Sequence, residues 1–393
     1  MTRLWDRGEA LDTLVLRYTA GEDHLLDERL VVYDLRASEA HARMLQVRGF
    51  LSEDDFQAVS KALQSLADTH GRGEWHVALE EEDCHTAIEA RLTAMIGEPG
   101  RAIHLGRSRN DQVLVALRLY LKDALDELAA HANLVAAELA ALADRQGHLE
   151  MPGYTHLQRA MRSTVALWAG AYRVEILDDA EGLRAAKRRA DRNPLGSAAG
   201  YGVPVLDLDR ELTTRALGFA SAHEPVTAVQ LSRGKAEASA LFEATLLAQD
   251  LGRLAAELCL FATAEFGFVK LPHELTTGSS MLPQKRNPDL FELARGRSVE
   301  AQAALVEVLG VVSRLPSGYH RDLQLLKKPL FRGLDSVQAT ASLMAHAVAR
   351  IQFVPERLAA AIDPSMSMVE DAYRMVRDEG VPFREAYQRV RGG

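Results

Sequence analysis

Cysteine is nearly absent from this chain. Cys84 and Cys259 are the only two in 393 residues. They form no CxxC pair and no disulfide framework, so a reducing compartment is expected. Long apolar runs are missing too. The longest candidates, around 134–143 and 339–349, are broken by Glu138 and His346 and fall short of the ~18 residues of a membrane span. An excess of positive charge is also lacking. The 46 basic and 55 acidic residues leave a net charge of −9, a poor basis for binding nucleic acid or an anionic membrane. The opening stretch MTRLWDRGEALDTL has no apolar segment, so no secretory signal is expected. HExxH, CxxC and GxGxxG do not occur, and no metal or organic cofactor is expected. These absences predict a soluble, cytoplasmic protein.

What is present is ordinary globular material, 47% apolar and 26% charged. The length suits two or three domains unless one long-helix architecture spans it. The helical period dominates. From Asp111 onward, Val113, Leu117, Leu121, Leu125 and Leu128 recur at spacings of four and three, with no Pro or Gly before Gly147. That predicts one helix of roughly 35 residues, far above the usual ~11–12. Further long helices are expected from about Ser163 to Asp191, Arg233 to Phe266, Pro288 to Leu315 and Gly333 to Gln352. Such lengths suit an elongated bundle in which each helix buries one stripe. Between the helices, loops concentrate Gly, Pro, His, Ser and Asn, and loops on rigid elements are where chemistry usually sits.

Three of those loops hold chemistry-bearing residues. In His104–Gln112, Ser108 followed by Asp111 reads as a variant capping box. Arg107, Arg109 and Asn110 then crowd a helix N-terminus, which favours anions. Arginine holds carboxylates bidentately, although a capped helix with solvated arginines has the same sequence. In Pro152–Gln158, Thr155 and His156 follow a Pro-Gly turn, and histidine is the usual proton shuttle near neutral pH. In Thr277–Asp289, Ser279 and Ser280 follow Gly278, and Lys285 and Arg286 precede Asn287-Pro288, a good cap and first-turn pair. Such a segment stabilises a developing anion with N–H groups, helix dipole and ammonium together. Its alternative is a polar surface loop.

The stretch GSSMLPQKRNPD from Gly278 resembles the GSSxMPxKxNP signature of the fumarase/aspartase superfamily. GRSRNDQV from Gly106 resembles one branch of it, the argininosuccinate lyases and delta-crystallins. Tyr154-Thr155-His156-Leu157-Gln158, Asp83-Cys84-His85-Thr86, Pro194-Leu195-Gly196-Ser197 and Tyr319–Gln324 with Lys327 agree with that branch, in order, from about Trp5 to about Tyr387.

The resemblance implies an all-α, elongated long-helix bundle with small N- and C-terminal helical domains. The expected division is 1–106, 107–352 and an abbreviated 353–393. It implies cleavage of argininosuccinate to arginine and fumarate, without cofactor or metal. It also implies a homotetramer whose active sites are shared between subunits. Ser279 matches the base that takes the succinyl carbon proton. His156 matches a proton donor or relay, assisted by Glu292. Lys285 and Asn287 match residues that stabilise the carbanion-like intermediate. Ser108, Arg109, Asn110, Thr155, Tyr319, Gln324 and Lys327 match substrate-binding positions, and His85 another active-site histidine. The chain departs from the family at Ala20–His24, at Met161-Arg162 and at Thr227–Arg233. A lyase acting on a modified argininosuccinate or on adenylosuccinate, and a crystallin-like structural protein, are the alternatives.

Overall fold

The computed structural model describes residues 12–392; the start of the resemblance at Trp5 lies outside them. Helix dominates. The five long helices run Arg109–Gln146, Val165–Ala190, Lys235–Phe261, Asp289–Val312 and Lys327–Val348. The expected all-α, long-helix architecture is the one observed. No described helix is long and apolar enough to cross a membrane.

Local chemistry sets these helices. The longest has 38 residues and spans about 57 Å. At its start the Ser108 N–H donates to the Asp111 carboxylate (2.9 Å) and Ser108 Oγ accepts from the Asn110 N–H (3.3 Å). That is the reciprocal cap expected there. Val113, Leu117, Leu121, Leu125 and Leu128 are all buried. The last long helix starts at Lys327 rather than Gly333. Pro329 falls in its first turn, where a missing N–H costs nothing. Gly333 instead serves packing, because a Cβ there would lie 2.5 Å from Leu241 Cδ2 and 3.0 Å from Ala304 Cβ.

The chain forms two compact units, each built from three stretches. The first takes residues up to 127, 182–244 and 300–335; the second takes 128–181, 245–299 and 336 onward. In the first, the Val31–Val47 helix packs on the Glu53–Gly71 helix. A core of Ala37, Ala40, Val115, Leu119, Leu195, Leu217 and Phe219 closes it. The second has an aromatic centre. The Trp168 ring lies 5.3 Å from Phe353 and 5.9 Å from Phe261 between centroids, and its indole N–H donates to Glu257 (2.6 Å).

One segment of the second unit departs from the expectation. Residues Glu150–Thr155 (β1) and Gln158–Thr164 (β2) pair as an antiparallel hairpin, with a bulge between Pro152 and Tyr154. Pro152-Gly153 is therefore strand rather than turn. The reversal is made by His156 and Leu157, at φ of +53° and +58°. Positive φ at two non-glycine residues is uncommon and mildly strained, but it is the backbone that a tight two-residue hairpin demands. The following long helix opens at Val165, so His156 stands at the reversal of the hairpin, nine residues before that helix.

Candidate active site

In the first unit, charged side chains gather around one narrow cavity. Asp83 caps the Cys84–Ile96 helix, accepting from the Thr86 N–H at 2.8 Å. The next turn places His85 in the interior, with Nδ1 3.1 Å from the buried Asp34 carboxylate. Lys327, the first residue of its helix, is buried, with Nζ 2.5 Å from Asp27 and 2.7 Å from Asp23. Arg109 is ion-paired to Asp83 and, at 3.4 Å, to Glu82. Arg321 reaches Glu82 at 3.2 Å and the Thr19 carbonyl at 2.9 Å. The Gln324 amide donates to the carbonyls of Thr19 and Ala20 at 3.0 and 3.1 Å. The cavity wall includes Asp23, Asp27, Asp83, His85, Arg109, Arg233, Tyr319, Gln324 and Lys327.

The electrostatics follow from burial and pairing. Burial raises the Asp83 carboxyl, but the charges of Arg109 and His85 and the Thr86 N–H outweigh it and hold the group below its ordinary pKa. Burial opposes the His85 imidazolium, yet Asp34, with Asp83 and Asp27, raises its pKa. Asp23 is pushed up to about 6 by burial and by Asp27, despite Lys327. Beside the cavity, the buried Asp111 carboxylate accepts from the N–H groups of Ser108 (2.9 Å), Gly196 (3.0 Å) and Ala198 (2.9 Å). Burial still raises it to about 6. These bonds tie the Pro194–Ser197 motif to the start of the longest helix. Asn110 belongs to the same tie: its amide donates to the Ala199 carbonyl at 3.4 Å, and its own carbonyl accepts from Gln230 at 3.1 Å.

Of the residues expected at the site, the cavity brings together His85, Arg109, Tyr319, Gln324 and Lys327. Ser108 and Asn110 flank it as cap and tie. Arg107 does not join the expected anion site: it is buried and donates to Ser38 Oγ at 2.8 Å. Asp27, Cys84 and His85 present ligand atoms within 4.8 Å of one another. As a metal site they fit poorly. Lys327 occupies Asp27, Asp34 occupies His85, and burial pushes the Cys84 thiol well up.

The other expected residues lie in the second unit. Thr155 and His156 stand exposed at the hairpin turn. Ser279 lies in a loop closed at its base by paired backbone bonds, Thr277 N–H to Asn287 O at 3.2 Å and Asn287 N–H to Thr277 O at 2.9 Å. Inside the loop, Ser279 Oγ accepts from the N–H groups of Leu282 (3.1 Å) and Met281 (3.3 Å). Lys285 is exposed, and Glu292 sits in the first turn of the following helix. Asn287 does not cap that helix as expected. Its amide turns back to the Gly278 carbonyl and Thr277 Oγ1, each at 3.4 Å. Preceding a proline keeps it extended, and the loop closure takes its hydrogen bonds.

Asp23, Asp34, Glu82 and Arg233 were not identified as site residues from the sequence. An isolated acid or base gives no signal when its partners are far away in the chain. The family profile described as "Lyase" matches residues 12–303. The argininosuccinate lyase of Sorangium cellulosum (strain So ce56) is 49% identical over 388 residues, covering 99% of this chain and 90% of that protein. The argininosuccinate lyase of Xylella fastidiosa (strain Temecula1) is 46% identical over 388 residues, covering 98% and 86%. Among solved structures, a "fumarate lyase:delta crystallin" from Brucella melitensis superposes with a TM-score of 0.82 at 18% identity, over 98% of this chain and 88% of that one.

Proposed function

This chain belongs to the argininosuccinate lyase family of the fumarase/aspartase superfamily, and from that premise we propose how its residues cleave argininosuccinate to arginine and fumarate. It is a carbon–nitrogen lyase of arginine biosynthesis. The reaction is a β-elimination. The proton removed sits on carbon beside a carboxylate and is weakly acidic, so its removal builds a second negative charge on that carboxylate. The leaving nitrogen needs a proton from a separate acid.

Ser279 is the base. The observation that carries this role is the pair of backbone N–H groups aimed at its Oγ. Two such donors stabilise the serine alkoxide that takes the proton. Lys285, on the same loop, and the N-terminus of the Asp289–Val312 helix offset the charge that develops on the substrate. Asn287 orients that carboxylate. His156, with Thr155 beside it and Glu292 in support, handles the proton of the leaving nitrogen. Arg109, Asn110, Ser108, Tyr319, Gln324, Lys327 and His85 form the binding side. The test is direct: purified protein is mixed with argininosuccinate and fumarate is followed by ultraviolet absorbance. Stoichiometric fumarate and arginine are expected, and no fumarate from folded protein would refute the assignment.

We also propose that the chain works as a cytoplasmic homotetramer whose sites are shared between subunits. The long helices present large apolar side chains to solvent, among them Leu167, Val174, Leu293, Val299, Val306 and Leu309, each at least half exposed. Apolar stripes of this kind are usually covered by a partner. Two inactive variants, His156→Asn and Ser279→Ala, refolded together are expected to regain part of the wild-type rate. Verified mixed tetramers that stay inactive would show that both residues come from one chain.

A further inference from the structure

The loop that carries Ser279 has little to hold it except its base. Met281 is 84% exposed and Leu282 43%, so neither anchors the loop in a core. Among the described residues, no hydrogen bond from outside 277–289 reaches residues 278–286. Inside the loop, the Met281 and Leu282 N–H groups donate to Ser279 Oγ, and the Lys285 N–H donates to the Leu282 carbonyl at 3.0 Å.

At the base, Thr277 and Asn287 pair as an isolated antiparallel bridge. Three side chains lock that bridge. The Thr277 hydroxyl donates to the Asp289 carboxylate and accepts from the Asn287 amide at 3.4 Å. A hydroxyl can donate and accept at once, and its bond to a carboxylate is of the stronger, charge-assisted kind. Asp289 is the first residue of the Asp289–Val312 helix. An exposed loop is thus fastened to a rigid element at the point where it departs and returns. Ser279 stands two residues beyond Thr277, so a tilt at Thr277 is carried to its Oγ. Two N–H groups of one short turn aim at one oxygen only while the turn keeps its shape. A misplacement of about 1 Å at a reacting group can cost about 10²-fold in rate.

We infer that Thr277 and Asp289 are positioning residues for the reaction, a hydroxyl–carboxylate clamp that holds Ser279 and Asn287 in working register. They act through the loop and not on the substrate. This rests on the reading of Ser279 as the base. Kinetics and proteolysis of clamp variants test it together. Trypsin cuts after Lys285 and Arg286, both exposed in the loop, and so reports loop opening independently of turnover. Thr277→Val, which keeps the shape and removes the hydroxyl, and Asp289→Ala are each expected to lower kcat about tenfold or more. KM should stay within about threefold, and cleavage after Lys285 and Arg286 should quicken. Thr277→Ser, which restores the hydroxyl, should recover most of kcat. The double variant should lose no more than the worse single one, because both remove the same bond.

Thr277→Val with kcat within about twofold of wild type and an unchanged cleavage rate would overturn the inference. So would losses that multiply in the double variant, which would mean that the two residues act separately. A residue that served only the fold would lower Tm and leave the kcat of folded enzyme unchanged. Ser279→Ala with wild-type turnover is a different result. It would refute the reading of Ser279, whereas the cleavage rates would still report whether the clamp closes the loop.

Discussion

The two units hold their candidate site residues in opposite ways. In the first, Asp27, Asp34, Asp83, His85 and Lys327 are buried, and side-chain charges from distant parts of the sequence fix them. In the second, His156 and Lys285 are exposed, and the Ser279 hydroxyl is held by its own loop's backbone. A buried ion pair is costly to break, because removal of one partner strands the other in the interior. An exposed loop residue held by local backbone can be replaced with little loss of packing. On the proposed roles, the contrast predicts that substitutions of the buried ion-paired residues act on stability and binding together, whereas truncation of the Ser279 hydroxyl acts on turnover.

The largest expected effect lies in the exposed loop. Ser279→Ala should lower kcat by about 10³-fold or more while Tm moves by less than about 1 °C. Turnover near wild type would remove Ser279 from the base role, and a large fall in Tm would break the contrast between the units. Next comes Lys327→Met. It leaves Asp23 and Asp27 buried without their cation, and chemical denaturation should show a loss of about 3–5 kcal/mol. An unchanged midpoint would mean that the two carboxyls protonate at no cost.

Asp111 gives the smallest effect, and its sign is fixed. Burial pushes its carboxyl up to about 6, above the ordinary aspartate range. Between those values the folded state binds more protons than the unfolded one, so this group's contribution to stability falls as pH rises from about 4 to about 6. The difference between wild type and Asp111→Asn in urea melts should change by about 1–3 kcal/mol across that range. A constant difference would place Asp111 at an ordinary carboxyl pKa.

Much of the fold was legible. The longest helix announced itself by apolar spacing and the absence of Gly and Pro, the other four were legible despite internal glycines, and the observed ends lie within a few residues of the expected ones, apart from the early start at Lys327. The hairpin was not legible. Its second strand reads Gln-Arg-Ala-Met-Arg-Ser-Thr and is half or fully exposed, so no alternation of apolar residues marks it. Its turn uses His156 and Leu157, where a sequence reader looks for Asn-Gly. At the site, the Ser279 loop was visible as a cluster of Gly, Ser, Pro and Asn. The carboxylates that engage Lys327 and Arg109 were not. Asp27 and Lys327 stand 300 positions apart, and no local pattern reports such a pairing. Asn287 shows the same limit on a small scale: a good cap by residue type was drawn into closing a loop.

The account's central claim is that chemistry resides in the exposed loop while binding resides with the buried charges. Calorimetric titration of Ser279→Ala with argininosuccinate tests it most directly. The variant is predicted to bind with a Kd within about threefold of that of a second inactive loop variant, Lys285→Ala, and to release no fumarate, because truncating a group that acts only in the transition state leaves ground-state binding intact. Loss of binding in Ser279→Ala, with the fold intact, would contradict the claim and make the loop part of the binding site itself.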